Sequence, residues 1–155
     1  LQPVQKKEIP LYIKSFEKPN QIGTQINKNL DLSPKVPCYI FKNNMIFIKI
    51  FSLDFSFAID KNLSHIFKKI DEFQMKVDIT QNSAISFSIC LFDKYNQIDN
   101  LIKSLEEKFK IEVYKNISLY TIRHFDEQAI KVVSKGKKLL LEQRSEKTVK
   151  LIFKN

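Results

Sequence analysis

The chain predicts an α+β fold on a βαββαβ plan, and three observations carry that expectation. Between Met45 and Lys115 the order strand, amphipathic helix, strand occurs twice in succession. Leu63, Ile66, Phe67, Ile70 and Phe73 recur at helical spacing, and so do Ile98, Leu101, Ile102, Leu105 and Phe109. Residues 84–92 alternate with the period of a strand: Ile85, Phe87, Ile89 and Leu91 on one face, Ser86, Ser88 and Cys90 on the other. That order of elements is the ferredoxin-like plan.

Taken in order, residues 1–44 hold all the prolines, Pro3, Pro10, Pro19, Pro34 and Pro37. Proline interrupts helices and central strands. The segment therefore reads as an extended linker with two short strands, 11–16 and 37–41, and Gly23 marks a turn between them. Residues 45–51 are a near-continuous apolar run, as a covered central strand requires. Residues 52–61 read as a loop, and Asp60 or Asn62 is placed to cap the first helix. Residues 76–80 form a short alternating strand, Gln81-Asn82-Ser83 a hairpin turn, and 84–92 the third strand. The second helix follows, and 110–115 closes the unit. Right-handed crossovers put both helices on one face of the sheet. The face of Ser86, Ser88 and Cys90 is left to solvent or to a partner.

Residues 117–123 start the plan again. Asp126 is placed to cap a short helix carrying Ala129, Ile130 and Val133, and Gly136 to end it. Residues 139–144 and 149–153 make a hairpin. No second helix or fourth strand remains before Asn155, and a βαββ unit has an unprotected edge. We expect 37–41 to return and supply the missing strand. The expected organisation is a linker over 1–44, a first domain over 45–116 and a truncated second unit over 117–155.

Composition narrows the function classes. With 155 residues, 43% of them hydrophobic, the chain can build a core and is not a disordered segment. No apolar run approaches the roughly 18 residues of a membrane span, and no signal-peptide region opens the chain, so no membrane partner is expected. The chain does not begin with Met, which predicts that it starts inside a longer protein. Cys38 and Cys90 lack CxxC or paired-His spacing and are expected as buried free thiols in a reducing, cytoplasmic compartment. The net charge of +9 raises nucleic acid as a partner. The lysines are scattered along the whole chain, however, and the third strand lacks the aromatics and Gly of an RNA-recognition module. RNA binding is therefore the remote alternative, and no nucleic-acid partner is expected. His65 and His124 are isolated and read as structural. No paired carboxylates, Cys–His pair or metal cluster has catalytic spacing, so no metal site is expected.

Several motifs stand in a characteristic order: Leu1-Gln-Pro-Val, Ile9-Pro-Leu-Tyr-Ile, Pro19-Asn-Gln-Ile-Gly-Thr, Phe51-Ser-Leu, Leu63-x-x-Ile-Phe, and Val77-Asp-Ile-x-x-x-Ser-Ala-Ile-Ser-Phe-Ser. In that order and spacing the chain resembles the C-terminal regulatory region of aspartate kinase (aspartokinase), a linker followed by tandem ACT domains. The resemblance implies a ferredoxin-like ACT domain and a truncated second ACT-like unit. It implies a regulatory, effector-binding and dimerising role in an enzyme that phosphorylates L-aspartate with ATP, the first step toward lysine, threonine and methionine. ATP and Mg would belong to a catalytic domain of the same polypeptide. Its Lys-Phe-Gly-Gly-Thr-Ser signature is absent here, and with only Gly23 and Gly136 the chain has no phosphate-cradling loop. This chain alone is expected to be neither a kinase nor a cofactor binder.

The resemblance further implies a homodimer through ACT-type sheets, with lysine or threonine at the seam. By position, Ser52, Phe55, Lys61, Asn62 and Leu63 would hold one end of the effector, and Val77, Asp78, Ser83 and Ile85 the other. Free N–H groups at the start of the first helix suit a ligand carboxylate, and a carboxylate on the next strand, such as Asp78, or backbone carbonyls suit its ammonium. The family's loop Gly has no counterpart between Ala58 and Leu63, and Ala84 and Phe55 stand where the family has Glu and Met. Lys61 at the helix entrance is placed where it could occupy the space of an amino-acid ligand. An assembly module without amino-acid binding is the alternative reading.

Overall fold

The computed structural model describes residues 2–27, 34–53 and 59–155, the side chains of 59–61 excepted. The chain forms two compact units, Leu1–Lys35 and Val36–Asn155.

The first unit holds helix α1 (Gln2–Lys6) and an antiparallel pair, β1 (Leu11–Ile13) and β2 (Thr24–Ile26), with Leu11 opposite Ile26. The strand expected over 11–16 therefore stops at Ile13, and its partner is β2. Gly23 is required where the chain turns into β2. Its φ is +73°, and a Cβ there would lie 2.4 Å from the Ile13 carbonyl oxygen.

The second unit is one six-stranded sheet in the order β4-β5-β3-β6-β8-β7, antiparallel throughout. Its strands are β3 (Cys38–Ser52), β4 (Lys76–Asn82), β5 (Ser86–Phe92), β6 (Phe109–Arg123), β7 (Lys138–Arg144) and β8 (Thr148–Lys154). Helices α2 (Ile59–Glu72), α3 (Ile98–Leu105) and α4 (Glu127–Ser134) complete it. The two long strands organise the whole. The C-terminal part of β3 lies between β5 and β6, giving the βαββαβ half. Its N-terminal part runs beside β6 from Cys38↔Arg123 to Lys42↔Leu119, and β6 in turn pairs β8. Residues 38–42 thus supply a fourth strand to the second half. They do so as the opening of β3, not as a separate strand, so 36–44 belong to the sheet unit.

Between the halves the β3–β6 register slips at Lys42/Met45 and again at Met45/Phe47. Asn44 (φ 54°) and Asn116 (φ 55°) sit at this junction in the left-handed region, which Asn tolerates better than other side chains. Bulges of this kind bend a strand and increase its twist.

Three apolar clusters follow from the alternation along the strands. Ile46, Ile48, Ile50, Phe87, Ile89 and Leu91 meet Ile66 and Ile70 of α2 and Ile98, Leu101 and Leu105 of α3. Ile122, Val149, Leu151 and Phe153 meet Ala129, Ile130 and Val133 of α4. The third cluster, Met45, Phe47, Ile79, Cys90, Ile117, Leu119 and Ile152 with Leu140 and Leu141, uses the sides of the strands that no helix covers. It draws on both ends of the sheet order. The Gln143 side-chain amide of β7 also donates to the Thr80 carbonyl of β4 at 3.3 Å. The sheet is coiled so that its helix-free sides close on one another. Burying each large side chain there contributes about 1.5–3 kcal/mol.

That closure corrects the expectation of an open polar face, since Ser88 and Cys90 are buried. Other local expectations also shift. Ile85 is 65% exposed in a Ser83–Ser86 turn and does not join the apolar face of β5. Phe109 opens β6 instead of ending α3. α2 starts at Ile59, so Asn62 lies inside the helix, and the side chain of Asp60 lies outside the described residues. Both cysteines are free, but Cys38 is exposed. α4 forms as its caps dictate: Asp126 accepts the Ala129 N–H at 2.6 Å, and Gly136 (φ 71°) follows its last turn.

Candidate functional site

Part of the expected site gathers at the C-terminal end of β3. Ser52, half-buried, pairs with Phe109, and Phe51 pairs with Ser86, so the Ser83–Ser86 turn lies alongside. Phe67, in the middle of α2, packs against Phe87 at 5.8 Å, so the helix crosses this end of the sheet. Asn62 and Leu63 are half-buried there, and Leu63 packs on the helix-covered core. Phe55 and the side chain of Lys61 lie outside the described residues. The Ser83 hydroxyl is engaged by its own turn: it accepts the Ser86 N–H at 3.1 Å and lies 2.8 Å from the Ser86 hydroxyl. Ile85 projects from the tip of that turn.

Val77 and Asp78 lie toward the other end of β4, roughly 15 Å along the strand from Ser83. The β4–β5 register slips between Val77 and Ile79, leaving Asp78 in a bulge. Val77 packs toward the helices, whereas Asp78 joins groups of the helix-free side. Its carboxylate is ion-paired with the Lys42 ammonium, and its carbonyl accepts from Lys150 Nζ at 3.3 Å. Asp78 Oδ2 is buried without a hydrogen-bond partner. Burial, followed by the Asp78 carboxylate, pushes the nearby Cys90 thiol up to about 12.

A second feature was not singled out from the sequence. A cleft of about 500 Å³ opens at the start of α3, lined by Asn44, Asn96, Asn116, Asp93, Asp99 and Lys115 among others. The signal available was three Asn residues bordering the expected strands and the second helix, and all three adopt positive φ. Asp93 already serves the helix start, accepting the N–H groups of Gln97 at 2.9 Å and Ile98 at 2.8 Å. Asp99 pairs with Lys115 at 2.8 Å on the surface. Among the described residues no group of His, Cys, Asp and Glu could hold a metal ion, and no helix is long and apolar enough to cross a membrane.

One βαββαβ half and a second half completed by an N-terminal strand define the class: a tandem ACT-type α+β fold. Comparison with protein-family models and with curated proteins finds no match. Solved structures do match. E. coli aspartokinase III in complex with lysine and aspartate aligns over 98% of this chain and 37% of its own, with a TM-score of 0.75 and 16% identity. Clostridium acetobutylicum aspartate kinase aligns over 98% and 39%, with a TM-score of 0.78 and 17% identity. A putative C-terminal regulatory domain of aspartate kinase from Porphyromonas gingivalis W83 aligns over 77% and 86%, with a TM-score of 0.62 and 18% identity. The chain thus spans less than two fifths of the two aspartate kinases and has the fold of aspartate kinase regulatory regions.

Proposed function

We propose that this chain is the regulatory, dimerising region of an aspartate kinase and that it reads an amino-acid effector such as lysine or threonine. The observation that carries the reading is the alignment of 98% of the chain with aspartokinase III, whose structure was solved with lysine. A catalytic domain of the same polypeptide, with ATP and Mg, would transfer phosphate to aspartate. Effector binding would favour one assembly over another, which requires unequal affinity for the two. The gathered end formed by Ser52, Asn62, Leu63, Ser83 and Ile85 suits one end of such a ligand, with Phe55 and Lys61 as further candidates. The unpaired thiols fit a reducing, cytoplasmic setting.

A specific observation favours a second reading, an assembly module without a sensor: the Asp78 carboxylate is engaged by Lys42 and the Ser83 hydroxyl by Ser86. RNA binding gains no support, because the helix-free side of β5 is buried against β7 and β8.

Thermal unfolding with millimolar lysine, threonine or methionine, at fixed protein concentration, decides between them. Saturation to about 100 Kd stabilises by about 2.7 kcal/mol, and an upward shift of several degrees with one amino acid is the expected result. No shift in a sample shown to be dimeric supports the assembly module. No shift in a monomeric sample rejects both.

A further inference from the structure

We infer that Lys42 is a tethered ligand of Asp78: its ammonium holds the carboxylate that a diffusible ammonium would otherwise take and so latches the two halves of the sheet together. Lys42 lies on the part of β3 that completes the second half, whereas Asp78 lies on β4 of the first half. The two are 36 residues apart in sequence. The carboxylate is largely withdrawn from water, its side chain 15% exposed, while the lysine keeps 41% of its surface. A carboxylate so placed needs a cation, and removing that cation leaves an uncompensated buried charge.

The surroundings reinforce the assignment. The bulge at Asp78 takes its main chain out of the β4–β5 ladder and frees its carbonyl for Lys150 of β8. Two ammonium groups of the second half therefore converge on one residue of the first. Oδ1 is taken by Lys42 and Oδ2 is buried, so a diffusible ammonium reaches Asp78 only by displacing Lys42. From the regulatory reading this takes only the idea that Asp78 is a candidate ammonium receptor. The latch stands or falls separately from effector binding at the far end of β4.

The test compares the full chain with Lys42→Ala in n-propylammonium chloride or in NaCl at equal ionic strength. K42A is expected to melt about 4–8 °C below the unaltered chain in NaCl. At about 50 mM, n-propylammonium should restore roughly half of that loss in K42A and move the unaltered chain by no more than about 1 °C. K42A/D78N should show no restoration. Should K42A be unfolded in NaCl, the same titration is read as return of the far-UV circular dichroism signal. The charge-free pair K42M/D78N should stay within about 3 °C of the unaltered chain. Equal stabilisation of the unaltered chain overturns the proposal. So does an absence of any response in K42A, or a loss in K42M/D78N as large as that in K42A. Shifts with lysine in the unaltered chain report on the effector reading, and a failure there leaves the n-propylammonium result for K42A to be judged by itself.

Discussion

At the scale of single residues, Cys90 shows what closure of the sheet does. Its thiol has no exposure, and burial, then the Asp78 carboxylate, raises it from an ordinary 9.0 to about 12. Only the thiolate is a nucleophile. A disulfide reagent at about pH 8 is expected to modify one thiol per native chain, the exposed Cys38, and both in denaturant. The pH dependence follows with a definite sign. Between about 9 and about 12 the unfolded chain releases the Cys90 proton while the folded chain keeps it. The unfolded state then binds fewer protons, so stability falls as pH rises through that range. Urea unfolding of Cys90→Ala beside the unaltered chain should show a shallower decline for the variant; parallel declines would refute this. The strand alternation put Cys90 opposite Phe87, Ile89 and Leu91. Its burial was not legible, because the cover comes from β7 and β8, fifty and more residues further on.

At the scale of elements, two aspartates start two helices by different routes. Asp126 is the N-cap residue of α4, directly before Glu127, and bonds the Ala129 N–H. Such a cap is visible from spacing alone. Asp93 serves α3 from five residues ahead, with one oxygen on the Tyr95 and Gln97 N–H groups and the other on Ile98. No local spacing rule identifies it, since the loop Lys94-Tyr95-Asn96 must first turn, with Asn96 at positive φ. Asp126→Ala should cost about 1 kcal/mol and lower Tm by about 2–4 °C. Asp93→Ala, which strips three N–H groups of their acceptor, should cost about twice as much. A smaller loss for D93A than for D126A in thermal unfolding would contradict this account.

At the scale of the whole molecule, β3 and β6 run through both halves, so neither half is complete without strands of the other. Far-UV and aromatic near-UV signals should therefore report one coincident transition. Deletions test the same point. A chain of 36–155 keeps all three apolar clusters and should fold with a single transition. A chain of 45–155 loses the ladder of 38–42 with 119–123 and the Lys42–Asp78 pair. It should melt at least about 5 °C below the 36–155 chain. Equal melting of the two would show the N-terminal part of β3 to be dispensable.

Local pattern was enough to set the α+β class, the helices α2, α3 and α4, and most of the apolar faces of α2, α3 and β5, but not α1 or β2. Those follow from periods of 3.6 and 2 that any short window displays. Asp126 and Gly136 were legible for the same reason. The near-unbroken run of β3, the burial of Ser88 and Cys90, and the engagement of Asp78 by Lys42 were not. Each depends on groups dozens of residues apart that meet only once the sheet has coiled and its helix-free sides have closed. Periodicity assigns a residue to a face, but what covers that face is a long-range matter that the tertiary structure alone decides.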